Sequence, residues 1–180
     1  MKYVGMIVLA ALLLPPVAGA QDTVPNPITS LIKQQVKRYG DLQVAGAEAM
    51  PAEKYGYQAT PETRTFGALI LHVANFNNLM CSRISGMSAP DIKEVKDTDP
   101  KDKLVSAVKG SFDFCTTALN SVDDSILSQP AGKLGQMNLS KGGALVILGE
   151  DWFDHYSTMA LYLRINGILP PSAKPAAGHM

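Results

Sequence analysis

Two histidines and one aspartate have the residue types that bind divalent metal ions in proteins: His72, Asp151 and His155. Asp151 and His155 are four residues apart in a segment whose apolar residues recur at helical spacing. Four residues advance about 400° around an α-helix, so these two side chains share one face. Leu148, Met159 and Tyr162 continue that face, which makes it a core face containing two polar residues.

His72 lies in a separate segment, with apolar residues three positions before it and four after it. A buried carboxylate is costly unless it is paired or bound to a metal. Two imidazoles and one carboxylate supply three ligands to zinc, nickel, iron or manganese and leave positions open for water. The alternative is that Asp151 and His155 form a hydrogen-bonded pair and that His72 is an ordinary core histidine.

Other polar residues near this pattern fit a site less well. His179 is the penultimate residue, and we predict that it lies in a flexible tail rather than acting as a fourth ligand. Glu150 and Asp154 each lie one position from the core stripe, about 100° off it, and are predicted at the surface. Tyr156 is displaced from the stripe by the same angle, and no residue stands out as a general base.

The elements that must position these residues are four amphipathic segments separated by turn-forming residues. They predict helices over residues 28–50, 64–85, 101–120 and 141–166. No stretch alternates convincingly with period two, so no sheet is predicted. Four helices joined in part by two long connections, over 87–100 and 121–140, indicate an all-α four-helix bundle.

The first twenty residues have the features of a signal peptide. Lys2 precedes an apolar run over 6–14, and a small-x-small motif at 18–20 predicts cleavage before Gln21. The alternative is an uncleaved membrane anchor, for which the run is short, since a spanning helix needs about 20 apolar residues. We therefore predict a periplasmic or secreted protein.

One domain over residues 21–172 and a flexible tail over 173–180 are predicted to follow the leader. The full chain has 16 basic and 16 acidic side chains, and loss of Lys2 with the leader leaves a formal charge of −1. This balance, without a basic cluster, argues against a nucleic-acid partner. No later segment has the apolar length of a membrane span, so no membrane association is expected after cleavage.

Cys81 and Cys115 are the only cysteines, and an exported chain would reach compartments where disulfides persist. Bridged Cα atoms must lie within about 7 Å. If the second and third helices were antiparallel, the two positions would be offset by about 15 Å along the axis, whereas in parallel helices the offset falls to about 5 Å. A disulfide and a crossover connection therefore predict each other, with two buried reduced thiols as the alternative.

Three sequence blocks resemble the DinB-like family. They are AEAMPAEKYGYQATPETRTFGALILHVANFNNLMCSRISG at 47–86, FDFCTTAL at 112–119 and DHYSTMALYLRINGILPPS at 154–172. The resemblance covers most of the chain after the leader. It implies a bundle of up-down-down-up topology, in which the second and third helices are parallel and a long crossover loop joins them.

The resemblance also implies a metal site. Family members carry one histidine on the second helix and an H-x-x-x-H pair on the fourth, and His72 and His155 match the first and last of these. Asp151 stands at the middle position, where it keeps a ligand atom but changes the charge of the site. The implied ion is divalent: zinc, nickel, iron or manganese.

The implied activity is a metal-dependent hydrolase or a transferase that uses a small thiol. An exported chain has no obvious access to cytosolic thiols, so hydrolysis of a small substrate is the expected reaction. The alternative is a non-catalytic bundle that binds a ligand or partner and retains a degenerate metal site. Pairing of two copies through a helical face is a further expectation.

Overall fold

The computed structural model describes residues 23–174 and contains four long helices. They are α1 (Pro27–Ala49), α2 (Phe66–Ser85), α3 (Lys101–Asn120) and α4 (Lys141–Ile165). Every boundary lies within two residues of its predicted position, so the all-α assignment is confirmed. The predicted signal peptide and the tail beyond residue 174, which includes His179, lie outside the described residues.

Local capping residues determine where two of the helices begin. Thr65 accepts a hydrogen bond from the Ala68 amide at 3.1 Å, and Ser140 accepts one from the Gly143 amide at the same distance. Each satisfies an amide that the first turn of a helix leaves unpaired. The cap at Thr65 explains why α2 begins two residues later than the apolar pattern predicts.

Helices α2 and α3 run parallel. Asn77 Nδ2 donates to Ser111 Oγ at 3.0 Å, and Cys81 is bridged to Cys115 by a disulfide with Cα atoms 5.3 Å apart. Both pairs are separated by 34 residues in sequence, as parallel neighbours in constant register require. The connection between α2 and α3 is therefore the crossover that the cysteine spacing and the family resemblance both predicted.

Helix α1 is antiparallel to α3. The first turns of α1 lie beside the last turn of α3, where Lys33 Nζ donates to the Asn120 carbonyl at 3.3 Å. The last turn of α1 lies beside the start of α3, where Lys101 Nζ donates to the Glu48 carbonyl at 2.6 Å. Helix α4 in turn is antiparallel to α2, with the Tyr162 hydroxyl donating to the Arg64 carbonyl. These directions confirm the up-down-down-up topology.

A two-stranded antiparallel hairpin precedes α4, and here the prediction of no sheet was wrong. Strands β1 (Pro130–Leu134) and β2 (Met137–Ser140) flank a two-residue turn in which Gly135 has φ 58°. A glycine with positive φ at the first turn position is typical of hairpins. The strands are short and their register is irregular, so they lack a period-two pattern long enough to read.

A buried polar network fixes α4 against the other helices. Trp152 Nε1 donates to Asn77 Oδ1 at 2.6 Å, and the Trp152 carbonyl accepts from Gln43 Nε2 at 3.1 Å. Asn77 also reaches Ser111 on α3, so the network includes side chains from all four helices. Trp152 is fully buried and directly follows Asp151 in sequence. The network therefore holds the backbone beside the predicted metal ligand.

Among residues 23–174, no helix combines the length and apolar character that a membrane span requires.

Candidate metal centre

The structure brings the three predicted ligands together between α2 and α4. One ligand atom from each of His72, Asp151 and His155 lies within 4.8 Å of the other two. The Nε2 atoms of His72 and His155 lie 3.4 Å and 3.8 Å from the same Asp151 oxygen, Oδ1. The two imidazole rings are stacked, with centroids 4.6 Å apart and planes inclined by 24°.

Several ligand atoms of this trio are buried without a hydrogen-bond partner. Within residues 23–174 these are Asp151 Oδ2 and both ring nitrogens of His155. The distance of 3.8 Å between Asp151 and His155 is too long for a hydrogen bond, so the paired arrangement considered as an alternative is not formed. Buried polar atoms are almost always satisfied in folded proteins. A divalent cation would satisfy Asp151 Oδ2 and one ring nitrogen of His155, and two imidazoles and a carboxylate fit such an ion.

The surroundings of His155 favour its neutral form. Burial lowers the pKa of His155, the neighbouring His72 lowers it further, and the Asp151 carboxylate opposes both effects. A neutral imidazole has a lone pair available for a metal, because metal binding requires deprotonated ligands. The protonation state of His155 thus suits a ligand role near neutral pH.

Asp154 lies beside the site, although its position on the helix predicted only a surface residue. Its carboxylate is exposed, as predicted, but Oδ2 lies 3.1 Å from His155 Nδ1, at an angle outside hydrogen-bond geometry. Metal-ligating histidines usually donate their second ring N–H to a carboxylate or carbonyl, which fixes the ring orientation. A small rotation of Asp154 would supply that contact. The available signal was an aspartate directly before His155.

The trio is accessible from one side. The His72 side chain is 30% exposed, whereas those of Asp151 and His155 are each 10% exposed. An open cleft of about 510 Å³ adjoins His155. Its other lining residues are Glu62, Thr63, Arg64, Leu69, Asp154, Thr158 and Tyr162. Phe76 stacks on His72 with ring centroids 5.9 Å apart. A larger depression of about 740 Å³ lies over α1 and includes none of the three ligands.

Of the remaining residues considered from sequence, Glu150 is exposed on α4 and takes no part in the trio, as predicted. Tyr156 turns away from the site, and its hydroxyl accepts from the Ser172 amide at 2.8 Å. Arg64 was not found from sequence, because it precedes α2 and only the folded arrangement places it beside His155. Tyr162 follows His155 by seven residues on α4 and lies on the core stripe that the sequence predicted.

Comparison with known proteins shows similarity in structure only. No family model matches the sequence. No curated protein matches it either. A conserved protein from Enterococcus faecalis aligns with a TM-score of 0.62 and 15% identity, covering 76% of this chain and 95% of its own. A DinB-like protein from Bacillus subtilis aligns with a TM-score of 0.62 and 16% identity, covering 81% of this chain and 99% of its own.

A third solved structure is described as a mycothiol-dependent maleylpyruvate isomerase. It aligns with a TM-score of 0.57 and 15% identity, covering 73% of this chain and 60% of that protein. These neighbours define the class: the chain has the DinB-like fold, as its sequence blocks predicted. Sequence identities of 15–16% support a shared fold and nothing more specific.

Proposed function

We propose that this protein binds one divalent metal ion through His72, Asp151 and His155 and acts as an exported metal-dependent hydrolase of a small substrate. The observation that carries the proposal is the convergence of three ligand atoms within 4.8 Å, beside a buried carboxylate oxygen and ring nitrogens that lack partners in the described part of the chain. Zinc, nickel, iron and manganese all suit this donor set.

The chemistry follows from the residues around the trio. When bound, a divalent ion lowers the pKa of a coordinated water and supplies a nucleophile near neutral pH. Asp154 Oδ2 lies 3.1 Å from His155 Nδ1, and a small rotation would let it accept the Nδ1 proton and orient the ring. Arg64 lines the cleft and makes no ion pair with any residue among 23–174, so its guanidinium is available to an anionic group of a substrate.

Export is part of the same proposal. The disulfide between Cys81 and Cys115 supports it, because disulfides persist in oxidising compartments, and the leader over residues 1–20 has the pattern of a signal peptide. This location favours hydrolysis over transfer to a cytosolic thiol. Fractionation of cells producing the full chain tests it: we expect mature protein beginning at Gln21 outside the cytoplasm, and full-length protein in the cytoplasm would contradict export.

Metal analysis tests the site. Tag-free protein is supplemented separately with zinc, nickel, iron and manganese, desalted and analysed by mass spectrometry for bound metal. We expect about one ion per chain for at least one metal and loss of that ion in Asp151→Ala and His155→Ala. His179→Ala is the matched control, because it removes a histidine that is not part of the trio. Metal well below one ion per chain for all four elements would refute the proposal.

A non-catalytic bundle that binds a ligand or partner is the second candidate. Asp151 favours it, because the resembling family has a histidine at this position and the replacement changes the charge of the site. The hydrolase and the binding protein differ in whether the metal-loaded chain hydrolyses a substrate. We expect the metal-loaded protein, but not Asp151→Ala, to hydrolyse activated esters such as p-nitrophenyl acetate. Full metal occupancy without turnover of a broad ester, amide and phosphoester panel would favour the binding role.

A further inference from the structure

The cleft beside His155 carries charged side chains of both signs. Arg64 lines it together with Glu62 and Asp154. Among residues 23–174, Arg64 pairs with neither carboxylate, and Glu62 takes part in no ion pair. Asp154 lies against the ring of His155, at 3.1 Å. Glu62 and Arg64 are therefore the charged groups of this cleft that the proposed metal centre does not use.

The turn that carries Glu62 and Arg64 is held in place on both sides. Thr63 Oγ1 donates to the Thr60 carbonyl at 2.8 Å and accepts from the Thr60 amide at 3.2 Å. The Arg64 carbonyl accepts from the Tyr162 hydroxyl of α4 at 3.0 Å. The backbone is thus fixed against α4, while both charged side chains are exposed. An ordered backbone loses less conformational entropy when a ligand binds.

The guanidinium of Arg64 is the group of this wall that can pair with an anion. The amides at the start of α2, at residues 66–68, already donate to acceptors at 2.8–3.1 Å. They are therefore not available to a ligand, although the amino terminus of a helix often binds anions. A negatively charged group that enters the cleft on this side would meet the Arg64 side chain.

The charges of the cleft favour a carboxylate as the anionic group. A guanidinium pairs with a carboxylate through two parallel hydrogen bonds. Glu62 and Asp154 add two negative charges to the cleft, and they would repel a dianionic phosphate more strongly than a singly charged carboxylate. Glu62 can in turn accept hydrogen bonds from an ammonium group. The cleft is therefore complementary to a molecule with one charge of each sign.

The spacing of the two side chains indicates how far apart those charges are. Two residues of extended chain span at most about 7 Å, which limits the distance between the Cα atoms of Glu62 and Arg64. The same limit applies to the two charged ends of a dipeptide. The cleft of about 510 Å³ lies within the range of small-molecule sites, about 300–1,000 Å³. Leu69, which is buried, supplies an apolar wall.

We propose that this cleft binds a dipeptide, with its carboxylate at Arg64 and its ammonium at Glu62. The inference rests on the proposed hydrolase function and names its substrate class. One water adds across the peptide bond, the C–N bond breaks, and the products are a carboxylate and an ammonium, so water is the only co-reactant. Because both charged ends are bound, a dipeptide blocked at either end is a poor ligand.

Binding of blocked dipeptides tests the proposal without metal or turnover. Chelator-treated protein is titrated with alanyl-alanine, its N-acetyl form and its C-terminal amide, and nuclear magnetic resonance gives each dissociation constant. We expect alanyl-alanine to bind at least about tenfold more tightly than either blocked form. Equal constants for the three, or no binding of any, would overturn the dipeptide proposal. Either result would leave metal binding and ester hydrolysis, which are measured separately, unaffected.

Charge removal assigns each end of the dipeptide to its side chain. We expect Arg64→Gln to abolish the preference over the amide while keeping the preference over the N-acetyl form, and Glu62→Gln to do the reverse. A misfolded variant would lose both preferences together, so the crossed pattern separates the two causes. Arg38→Gln and Glu150→Gln are the controls, because they remove exposed charges outside the cleft. Both preferences retained in Arg64→Gln and Glu62→Gln would refute the assignment.

Discussion

At the scale of single residues, the metal centre depends on one carboxylate between two imidazoles. Asp151 Oδ1 faces both Nε2 atoms, while Oδ2 is buried without a partner in the described chain. The histidines and Asp151 were predictable because four-residue spacing defines a helix face. Arg64 was not, because helix periodicity carries no information on which residues of other elements approach that face.

Replacement of Asp151 by asparagine should change stability in opposite directions with and without metal. In metal-free protein we expect Asp151→Asn to stabilise the fold by about 1 kcal/mol, because it removes a poorly satisfied buried charge. With metal at about 100 times its dissociation constant, the parent should gain about 2.7 kcal/mol that the variant lacks. Urea denaturation with a chelator and with metal measures both values. A variant less stable than the parent without metal would contradict this account.

Asp154 should support the site without binding the ion. We expect Asp154→Ala to weaken metal binding by about tenfold to a hundredfold, since it removes the carboxylate that orients the His155 ring. Competition with a chromophoric chelator measures the dissociation constant. Glu62→Ala is the matched control, because Glu62 is another exposed carboxylate of the same cleft. An unchanged dissociation constant for Asp154→Ala would remove Asp154 from the site.

At the scale of elements, the four helices were predictable and the hairpin was not. Long apolar periodicity sets the positions of α1 to α4, and their observed ends shift by at most two residues where local capping differs. The hairpin strands contain five and four residues. Ala131 and Leu139 are their buried side chains. So short a segment owes its structure to Gly135 and to packing on the bundle rather than to a repeating pattern.

The network around Trp152 should control both stability and the site. Asn77→Ala leaves Trp152 Nε1 without its acceptor and removes one of the two partners of Ser111 Oγ, which still donates to the Val108 carbonyl. We expect a loss of about 3 kcal/mol in the free energy of unfolding, because each buried unsatisfied group costs about 1–3 kcal/mol. Urea denaturation measures it, with the exposed Asn120→Ala as control. A loss below about 0.5 kcal/mol would show that the network contributes little.

At the scale of the whole molecule, the crossover and the disulfide act together. Cysteine register predicted that α2 and α3 are parallel if bridged, and the structure has both features. A bridge limits the distance between two Cα atoms, so the positions of the two cysteines constrain the relative direction of their helices. The leader was predicted from the order of Lys2, an apolar run and a small-x-small motif, and it lies outside the residues that the structure describes.

Removal of the disulfide should destabilise the protein substantially. The bridge closes a loop with a sequence separation of 34, for which loop-closure entropy gives about 4 kcal/mol. We expect reductant to lower the free energy of unfolding by this amount in the parent and to have no effect on a Cys81→Ala/Cys115→Ala variant. The intact parent should also gain about 2 Da on reduction. Two alkylatable thiols in unreduced protein would contradict the bridge.

We expect His72, Asp151 and His155 to bind one divalent ion between them. The most direct measurement is the anomalous diffraction of crystals grown with saturating zinc or nickel. We expect one strong peak per chain, with a ligand atom from each of the three residues at about 2.0–2.2 Å. Crystals that show no peak between the two histidines, or that show the ion bound only elsewhere on the chain, would contradict it.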